Sequence, residues 1–393
     1  MELTLIPTRL RGTVPAVPSK SQAHRLLLCA AFADQETAIT CPATNQDIEA
    51  TAACLRAIGA GIDRTADGYL VHPVQTIPRE AVLPCRESGS TLRFLLPVAG
   101  ALGIRATFLL EGRLPCRPLS PLWEEMERMG CRLSRPAADS LLCQGQLRAG
   151  HYRMDGSVSS QFITGLLYGL SLLKDDSSLE LTGQLESAPY VDMTKQALAV
   201  FGVRTEGERI PGGQRFRSPG VLSVEGDWSN AAFFLGARAL GSDVSVTGLS
   251  RDSSQGDRAC IPLFEKLERF ATISAANIPD LVPILAVVAG AKQGAVFTDA
   301  ARLRLKESDR LASVAALLSS LGGSVTVTRD GLIVEGTGYR GGTADAAGDH
   351  RIAMAAAIAA TVCTQPVTIR GAEAVQKSYP NFWEDYRTLG GIL

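Results

Sequence analysis

A short phrase that recurs along the sequence constrains the fold more than any other feature. It reads Leu-Arg-Ala-Ile-Gly at 55–59 and returns in related form at 126–130, 198–202, 267–271, 318–322 and 386–390, with alanine replacing the last glycine at 271. The final positions of successive copies lie 71, 72, 69, 51 and 68 residues apart. A glycine placed there is typical of a helix C-cap, so each copy predicts a helix end followed by a strand. The sequence therefore predicts six related units, one of them short.

A second set of helix starts keeps step with this phrase, near Lys20, Gly89, Ser160, Trp228, Asp280 and Asp349. The next start lies 26 to 30 positions after the end of the phrase in four units, but Asp280 lies only nine positions after Ala271. The longer intervals hold strand pairs, two of them joined by Asp-Gly turns at 67–68 and 330–331, which predict β-hairpins. We therefore expect an α/β fold whose fourth unit has a truncated sheet, with an apolar patch or a sheet edge exposed near Phe270 unless another subunit covers it.

The predicted helix starts carry different side chains in the two halves of the chain. The first three offer serines and the last three offer aspartates: Ser19 or Ser21, Ser88 or Ser90, Ser159 or Ser160, then Asp227, Asp280 and Asp349. Both residue types are common N-caps. The change predicts two three-unit domains of different chemistry, with a boundary near 225–226.

Composition excludes several classes of protein. The chain has 393 residues, of which 46% are hydrophobic and 20% charged, as expected for a globular protein with sizeable cores. A net charge of −1 argues against a general binder of nucleic acid or anionic membranes. Nine cysteines without a CxxC pair indicate reduced thiols and a cytoplasmic location. We find no signal peptide, no membrane span, no phosphate-binding loop and no metal-ligand spacing, and expect neither metal nor cofactor.

Cations stand at helix starts where they are unfavourable. Lys20, His24 and Arg25 follow a serine cap at the positive end of a predicted helix, where each cation costs about 0.3–1 kcal/mol. An anion bound by the helix N-terminus would explain them, although a solvated basic turn does so equally well when this segment is considered alone. The charged run at 302–310 is likewise usual for a solvated face, and an aspartate such as Asp280 is most often an N-cap.

Considered together, eight cations lie at the ends of predicted elements: Lys20, Arg25, Arg93, Arg117, Lys306, Arg310, Arg351 and Lys377. If they converge, they predict a site for multiply anionic small molecules, such as a phosphate with a carboxylate. Asp280, Glu307 and His350 are the acid/base candidates among them. The residues alone thus predict proton-transfer chemistry on a phosphorylated acid.

Seven motifs follow one another along the chain. They are Pro-Ser-Lys-Ser-x-x-His-Arg (18–25), Ser-Gly-Ser-Thr-Leu-Arg (88–93), Asp-Gly-Ser-Val-Ser-Ser-Gln-Phe (155–162), Ser-x-Pro-Tyr-Val-Asp-Met-Thr (187–194), Leu-Lys-Glu-Ser-Asp-Arg-Leu (305–311), Asp-His-Arg (349–351) and Lys-Ser-Tyr-Pro (377–380). In these motifs and their order the chain resembles the 5-enolpyruvylshikimate-3-phosphate synthase family, and the resemblance extends from Val17 to Phe382. It implies the enolpyruvyl transferase fold, an α/β fold of two domains with three βαβαββ units each, in which the N-terminal strand completes the second-half domain.

Applied to this chain, the resemblance implies a discontinuous domain of residues 1–13 and 226–393 on the phosphoenolpyruvate side. Residues 14–225 would form the domain on the shikimate-3-phosphate side, and the two would close on the substrates. The implied reaction adds the 5-hydroxyl of shikimate-3-phosphate to C2 of phosphoenolpyruvate with protonation at C3, and then eliminates phosphate. It belongs to the shikimate pathway of aromatic amino-acid biosynthesis. We expect a monomer whose partners are these two small molecules.

The resemblance also implies roles by position. The shikimate-3-phosphate contacts would be Lys20, Ser21, Arg25, Ser159, Ser160, Gln161, Ser187, Tyr190, Asp280 and Lys306. The phosphoenolpyruvate contacts would be Lys20, Gly89, Arg117, Gln161, Arg310, Arg351 and Lys377. Among the catalytic residues, Glu307 would be the acid and base at C3 and Asp280 would accept the hydroxyl proton. Lys20 and His350 would support charge and proton movement.

Four residues depart from the family's pattern. Glu87 and Ser88 stand where many members have Asn-Ala, Phe94 replaces a common proline, and Arg302 stands where an asparagine substrate contact is frequent. These differences bear on fine contacts and inhibitor affinity rather than on the reaction class.

Two other functions remain to be weighed. The sister family, the UDP-N-acetylglucosamine enolpyruvyltransferases, uses a loop cysteine several residues before an Arg-Pro pair, whereas Cys116 directly precedes Arg117 here. The first motif also carries Ser21 with Arg25 instead of the sister family's Lys-Asn. A non-catalytic repeat scaffold is the third possibility, but it would not require acids among eight cations.

Overall fold

The computed structural model describes all residues, 1–393, as two compact units. Met1–Val17 and Glu225–Leu393 form the discontinuous unit, and Pro18–Val224 form the continuous unit. Residues 14–17 therefore lie in the discontinuous unit, because Val14 and Pro15 end a strand that pairs there and the carbonyl of Val17 accepts the N–H of Asp227. Each unit has its own hydrophobic core.

In chain order the α-helices are α1 Lys20–Ala31, α2 Gln46–Ile58, α3 Gly89–Leu102, α4 Leu122–Arg128, α5 Ser160–Ser171, α6 Ala188–Val200, α7 Trp228–Ala239, α8 Cys260–Lys266, α9 Val282–Ala291, α10 Arg310–Ser320, α11 His350–Ala360 and α12 Phe382–Thr388. The strands are β1 Glu2–Leu5, β2 Arg11–Pro15, β3 Thr37–Thr40, β4 Gly61–Arg64, β5 Gly68–His72, β6 Glu80–Arg86, β7 Arg105–Leu110, β8 Cys131–Ser134, β9 Ser140–Gly145, β10 His151–Asp155, β11 Ser177–Thr182, β12 Arg209–Ile210, β13 Val221–Ser223, β14 Asp243–Thr247, β15 Ala271–Ser274, β16 Ala295–Thr298, β17 Val325–Val327, β18 Leu332–Val334, β19 Gly342–Asp345 and β20 Val367–Arg370. Short 3-10 helices lie at Leu114–Cys116, Gly256–Ala259, Ala301–Leu305 and Ala372–Lys377.

The continuous unit holds three sheets, with strand orders β13-β3-β5-β4, β6-β7-β9-β8 and β10-β11-β12. The second sheet shows the predicted βαβαββ unit, because β6 and β7 are parallel and joined by α3, while β8 and β9 form an antiparallel pair after α4. Helices α3 and α5 are buried along almost their whole length, which is why both are apolar on every face. Glycine at 165 allows α5 to approach the backbone of Arg93 on α3.

The discontinuous unit has sheets with strand orders β1-β20-β19, β14-β2 and β15-β16-β18-β17. Its core is built on α7, α9 and α11, and α9 and α11 are also buried along most of their length. The N-terminal strands β1 and β2 pair with β20 and β14, as the resemblance implied for the N-terminus.

The fourth unit is truncated as the spacing predicted. Its sheet has two strands, β14 and β2, and α8 is followed directly by β15 of the next unit. The side chain of Phe270, between α8 and β15, is 61% exposed. The missing hairpin therefore leaves an apolar residue uncovered in this chain.

Two of the predicted helix boundaries are wrong. Ala271 does not cap a helix, because α8 ends at Lys266 and Ala271 is already the first residue of β15. Helix α9 starts at Val282, and no side chain caps it, so Asp280 is not its N-cap. The carboxylate of Asp280 binds arginines from distant elements instead, which local sequence does not reveal.

None of the helices combines the length and the apolar character needed to cross a membrane.

Candidate active-site clusters

The predicted residues of the continuous unit lie at the starts of α1, α3, α5 and α6. Ser19 is the N-cap of α1 and accepts the backbone N–H of Gln22. Lys20 Nζ donates to Asp47 Oδ2 on α2 over 2.7 Å, and both side chains are largely buried. The first cation of the predicted site therefore has an acid partner, which holds its ammonium group at the start of α1.

Arg25 is buried and binds only neutral acceptors. Its Nε donates to Thr194 Oγ1 over 2.9 Å, its Nη1 to the carbonyl of Ser21 over 2.6 Å, and its Nη2 to the carbonyl of Tyr190 over 2.8 Å. Burial lowers the pKa of this guanidinium from its usual value. A buried charge without a counter-charge is costly, so the arrangement favours an anion beside Arg25. It also joins three predicted contacts, Ser21, Arg25 and Tyr190.

Two guanidinium groups face the start of α3. Ser88 is the N-cap, and a Cβ added at Gly89 would lie 2.7 Å from Nη1 of Arg117 and 2.8 Å from Nη1 of Arg93. Arg93 Nη1 also donates to Gln161 Oε1 over 2.7 Å. Gly89, Arg117 and Gln161, predicted as phosphoenolpyruvate contacts, are thus neighbours. Backbone N–H groups of a helix start with two guanidinium groups are suited to a phosphate or carboxylate.

The remaining predicted residues of this unit are hydroxyl groups at two further helix starts. Ser159 is the N-cap of α5 and accepts the backbone N–H of Gln161, and Ser160 is buried. Ser187 precedes α6 and is buried in a left-handed backbone conformation with φ of 55°, which is uncommon for a residue other than glycine. The backbone at Ser187 therefore sits in a conformation that is often found at functional sites.

Arg310 is the centre of the cluster in the discontinuous unit. Its side chain is 1% exposed and donates to three carboxylates, those of Asp280 over 2.6 Å, Asp349 over 2.7 Å and Glu307 over 2.9 Å. Burial alone would lower the pKa of Arg310, but these carboxylates raise it above its usual value. Arg310 is therefore a fixed cation that holds Asp280 and Glu307 side by side.

Asp280 is bound by further cations. Arg351 Nη2 lies 3.1 Å from Asp280 Oδ2, and Lys306 Nζ lies 3.9 Å from Oδ1. Burial alone would raise the pKa of Asp280, but Arg351, Lys306 and Arg310 hold it well below its usual range. Burial lowers the pKa of Lys306 to about 8, against the attraction of Asp280. Asp280 is thus ionised at neutral pH, whereas Lys306 titrates just above it.

Asp349, His350 and Lys377 complete the predicted positions. Asp349 is the N-cap of α11, where it accepts the N–H of Arg351 and the hydroxyl of Ser308. His350 Nδ1 lies 3.7 Å from an oxygen of Asp349, and the ring is buried. Lys377 ends a 3-10 helix and is also buried. Arg302, one of the departures, donates to the carbonyl of Ala276.

Three charged residues of these clusters were assigned no substrate contact or catalytic role from the resemblance. Asp47 binds Lys20, and Arg93 lies against Gly89. Asp257, in the 3-10 helix before α8, is 2% exposed, and burial followed by repulsion from Asp280 raises its pKa to about 6. Arg93 stood among the eight cations, whereas no pattern in the sequence singled out Asp257. The pairing of Asp47 with Lys20 depends on tertiary contact and had no local signal.

No group of three or more His, Cys, Asp or Glu side chains in residues 1–393 is arranged to hold a metal ion. Of the nine cysteines, only Cys116 is exposed, and the others are buried in the cores.

Comparison with protein families matches residues 5–386 to a family described as EPSP synthase (3-phosphoshikimate 1-carboxyvinyltransferase). The chain is 39% identical over its full length to 98% of a 3-phosphoshikimate 1-carboxyvinyltransferase from Clostridium kluyveri. It is 38% identical, again over its full length, to 99% of a protein of the same name from Clostridium perfringens.

Solved structures share the fold at lower identity. An EPSP synthase from Acinetobacter baumannii superposes with a TM-score of 0.80 at 23% identity, over 99% of this chain and 98% of that one. The enolpyruvyl transferase NikO from Streptomyces tendae gives a TM-score of 0.77 at 20% identity, over 100% and 98%. The chain therefore has the two-domain enolpyruvyl transferase fold.

Proposed function

The chain belongs to the EPSP synthase family, and we propose that it transfers the enolpyruvyl group of phosphoenolpyruvate to the 5-hydroxyl of shikimate-3-phosphate and releases phosphate. This reaction requires two anionic substrates and two proton transfers. The observation that carries the proposal is the sharing of one buried arginine, Arg310, by the carboxylates of Asp280 and Glu307. Two acids fixed among cations are what an addition followed by an elimination on phosphorylated molecules requires.

The cations and hydroxyls of the continuous unit support binding of the anions. Arg25, with only neutral acceptors, would take a negative group of shikimate-3-phosphate together with Ser21, Ser159, Ser160, Gln161, Ser187 and Tyr190. Gly89, Arg117 and Gln161 would take phosphoenolpyruvate at the start of α3. Lys20 would contact both substrates. In the discontinuous unit Asp280 and Lys306 are assigned to shikimate-3-phosphate, and Arg310, Arg351 and Lys377 to phosphoenolpyruvate.

Proton transfer falls to Asp280 and Glu307. Asp280 would accept a hydrogen bond from the 5-hydroxyl and take its proton as the new C–O bond forms at C2. Its low pKa makes it a weak base, so it can take the proton only when bond formation has made the hydroxyl acidic. Glu307 would give a proton to C3 and remove one from C3 when phosphate leaves. Lys20 and His350 would stabilise charge, and the cations would stabilise the leaving phosphate electrostatically.

The comparisons do not favour UDP-N-acetylglucosamine as acceptor, because the relatives at 38–39% identity are named for shikimate-3-phosphate. Cys116 is exposed and directly precedes Arg117, so it lacks the spacing of the sister family's loop cysteine.

A phosphate-release assay tests the proposal. The purified chain is given phosphoenolpyruvate with shikimate-3-phosphate, and in a parallel reaction with UDP-N-acetylglucosamine. We expect phosphate release with the first acceptor only. Release with the second acceptor alone, or with neither, would contradict the proposed function. In the same assay the variant Glu307→Gln should release phosphate more slowly than the wild type, and Glu265→Gln, at an exposed position of α8, is its control.

We further propose that the enzyme acts as a monomer in the cytoplasm. Light scattering at assay concentration checks the first point, and a stable dimer would contradict it.

A further inference from the structure

Helix α2 holds none of the residues assigned to substrates, yet it contacts the starts of both α1 and α3. Two ties join α2 to α1: Lys20 Nζ to Asp47 Oδ2 over 2.7 Å, and His24 Nδ1 to Thr51 Oγ1 over 2.7 Å. Lys20 and His24 are four residues apart on α1, as Asp47 and Thr51 are on α2, so the two hydrogen bonds lie one turn from each other along both helices. Together they oppose rotation and sliding of α1 against α2.

The hydrogen bond between His24 and Thr51 belongs to a longer series that reaches the start of α3. Thr51 Oγ1 lies 2.7 Å from Thr91 Oγ1, and Thr91 Oγ1 donates to Ser88 Oγ over 2.7 Å. Ser88 is the N-cap of α3 and also accepts the N–H of Thr91. The four side chains that form this series of hydrogen bonds are at most 2% exposed: His24, Thr51, Thr91 and Ser88. Water therefore does not compete for their hydrogen bonds.

The protonation of His24 decides which group donates in each of these hydrogen bonds. Burial lowers the pKa of His24 to about 3, so the ring is neutral at working pH. Its Nε2 is buried without a hydrogen-bond partner. Because a buried N–H without an acceptor is rarer than an acceptor without a donor, the proton belongs on Nδ1, which donates to Thr51. Thr51 then donates to Thr91, and Thr91 to Ser88. Both threonine hydroxyls accept one hydrogen bond and donate another, which strengthens the whole series of hydrogen bonds.

From this geometry we propose that Thr51 is a positioning residue, which fixes the start of α1 with Lys20 relative to the start of α3 with Gly89. The proposal rests on the proposed function, in which Lys20 and Gly89 bind one substrate. Ser88 is one of the residues that depart from the family's pattern, and it is the acceptor at the end of the chain. The departure thus supplies the acceptor that the neutral histidine and the two threonines require. Thr51 lies between His24 and Thr91, so removal of its hydroxyl breaks the hydrogen bonds to both.

Thr51→Val tests the proposal, since it removes the hydroxyl and keeps the branched shape. Thr37→Val is the matched control, because Thr37 is also buried and donates or accepts one side-chain hydrogen bond, with Ser218 over 2.8 Å, away from these helix starts. Thr51→Ser restores a hydroxyl. All three variants and the wild type are assayed for phosphate release, with KM for phosphoenolpyruvate and kcat measured separately.

We expect Thr51→Val to lower kcat/KM for phosphoenolpyruvate about 10- to 100-fold with a raised KM, because small misplacements of binding groups have effects of this size. Thr51→Ser and Thr37→Val should stay within about threefold of wild type, since neither breaks the chain of donors and acceptors between α1 and α3. A purely structural role for Thr51 would lower only the amount of active enzyme, so KM would not change and the two valine variants would behave alike. That result, or failure of serine to rescue, would overturn the proposal.

Hydrogen exchange tests the same role of Thr51 without a measurement of activity. We expect Thr51→Val to speed exchange of the backbone N–H groups in the first turns of both α1 and α3, and Thr37→Val to speed neither. Unchanged exchange at both starts would overturn the proposal even if activity fell. A wild-type chain that released no phosphate would contradict the proposed function alone, since exchange would still decide the role of Thr51.

Discussion

The two units differ in how they neutralise the cations at their helix starts. In the continuous unit the caps are Ser19, Ser88 and Ser159, and buried Arg25 binds only hydroxyls and carbonyls. In the discontinuous unit two of the caps are Asp227 and Asp349, and Arg310 binds three carboxylates. Lys20 of the continuous unit is paired with Asp47, but Arg25 has no carboxylate partner and leaves positive charge for a ligand, whereas Arg310 has its counter-charges built in.

This difference assigns different work to the two units. A cation without a carboxylate partner gains most from an anionic ligand, because the ligand supplies a counter-charge that the folded chain lacks. Carboxylates that an arginine already binds are held in defined positions, which suits proton transfer in a defined direction. The serines and aspartates noticed in the sequence are the local signs of this division.

The largest expected effect concerns Glu307. Glu307→Gln keeps a hydrogen-bond acceptor for Arg310 but cannot move a proton, so we expect kcat to fall about 10²–10⁴-fold. Binding of both substrates, measured by calorimetry, should be largely retained. Wild-type turnover in this variant would show that Glu307 does not transfer a proton. It would also contradict the division of roles between the two units.

Gly89→Ala tests whether the start of α3 in the continuous unit binds phosphoenolpyruvate. The added methyl group would crowd the guanidinium ends of Arg117 and Arg93, which can move aside without unfolding the helix. We expect KM for phosphoenolpyruvate to rise roughly tenfold or more, since charge-assisted hydrogen bonds would be misplaced, with kcat less affected. Gly61→Ala, which crowds His72 at a distant strand, is the control. An unchanged KM would show that the start of α3 does not bind this substrate.

Lys306 predicts a pH dependence in the discontinuous unit. Because burial lowers its pKa to about 8, the free enzyme loses this cation above pH 8, and kcat/KM for shikimate-3-phosphate should fall there about tenfold per pH unit. Lys306→Arg should move this decline to higher pH. The unfolded chain keeps the proton up to about pH 10.4, so between these values it binds more protons and the Lys306 contribution to stability rises with pH. A profile that is flat from pH 7 to 9.5 would contradict the assignment.

Asp257 should have the smallest effect, on stability. Its folded pKa of about 6 lies above the unfolded value, so the folded state binds more protons and stability falls as pH rises from about 4 to 6. Asp257→Asn should therefore raise the free energy of unfolding at pH 7.5 by about 1–3 kcal/mol and flatten its dependence on pH over that range. Exposed Asp243→Asn is the control in urea titrations. A less stable Asp257→Asn variant would show that the charge of Asp257 is needed to neutralise Arg351.

The fold followed from the sequence wherever local signals were enough. Periodic helix ends and Asp-Gly turns predicted the repeat and the hairpins β4–β5 and β17–β18, and the short interval predicted the two-stranded fourth sheet. The role of Asp280 as a cap was wrong because Arg310 and Arg351, 30 and 71 residues away, take its carboxylate. Such pairings depend on tertiary packing, which is also why the link from Asp47 to Lys20 had no signal in the sequence.

The stability of two variants without ligands tests the contrast between the units most directly. Arg25→Met removes a buried cation that has no carboxylate partner, so we expect the free energy of unfolding to change by only about 1 kcal/mol, as lost hydrogen bonds offset the relief of burying a charge. Arg310→Met removes the buried cation that three carboxylates share and should lower the free energy of unfolding by about 3–5 kcal/mol. Saturating shikimate-3-phosphate should stabilise the wild type, by about 2.7 kcal/mol at 100 times Kd, and Arg25→Met much less. Equal losses in the two variants, or undiminished stabilisation of Arg25→Met by the ligand, would contradict the account.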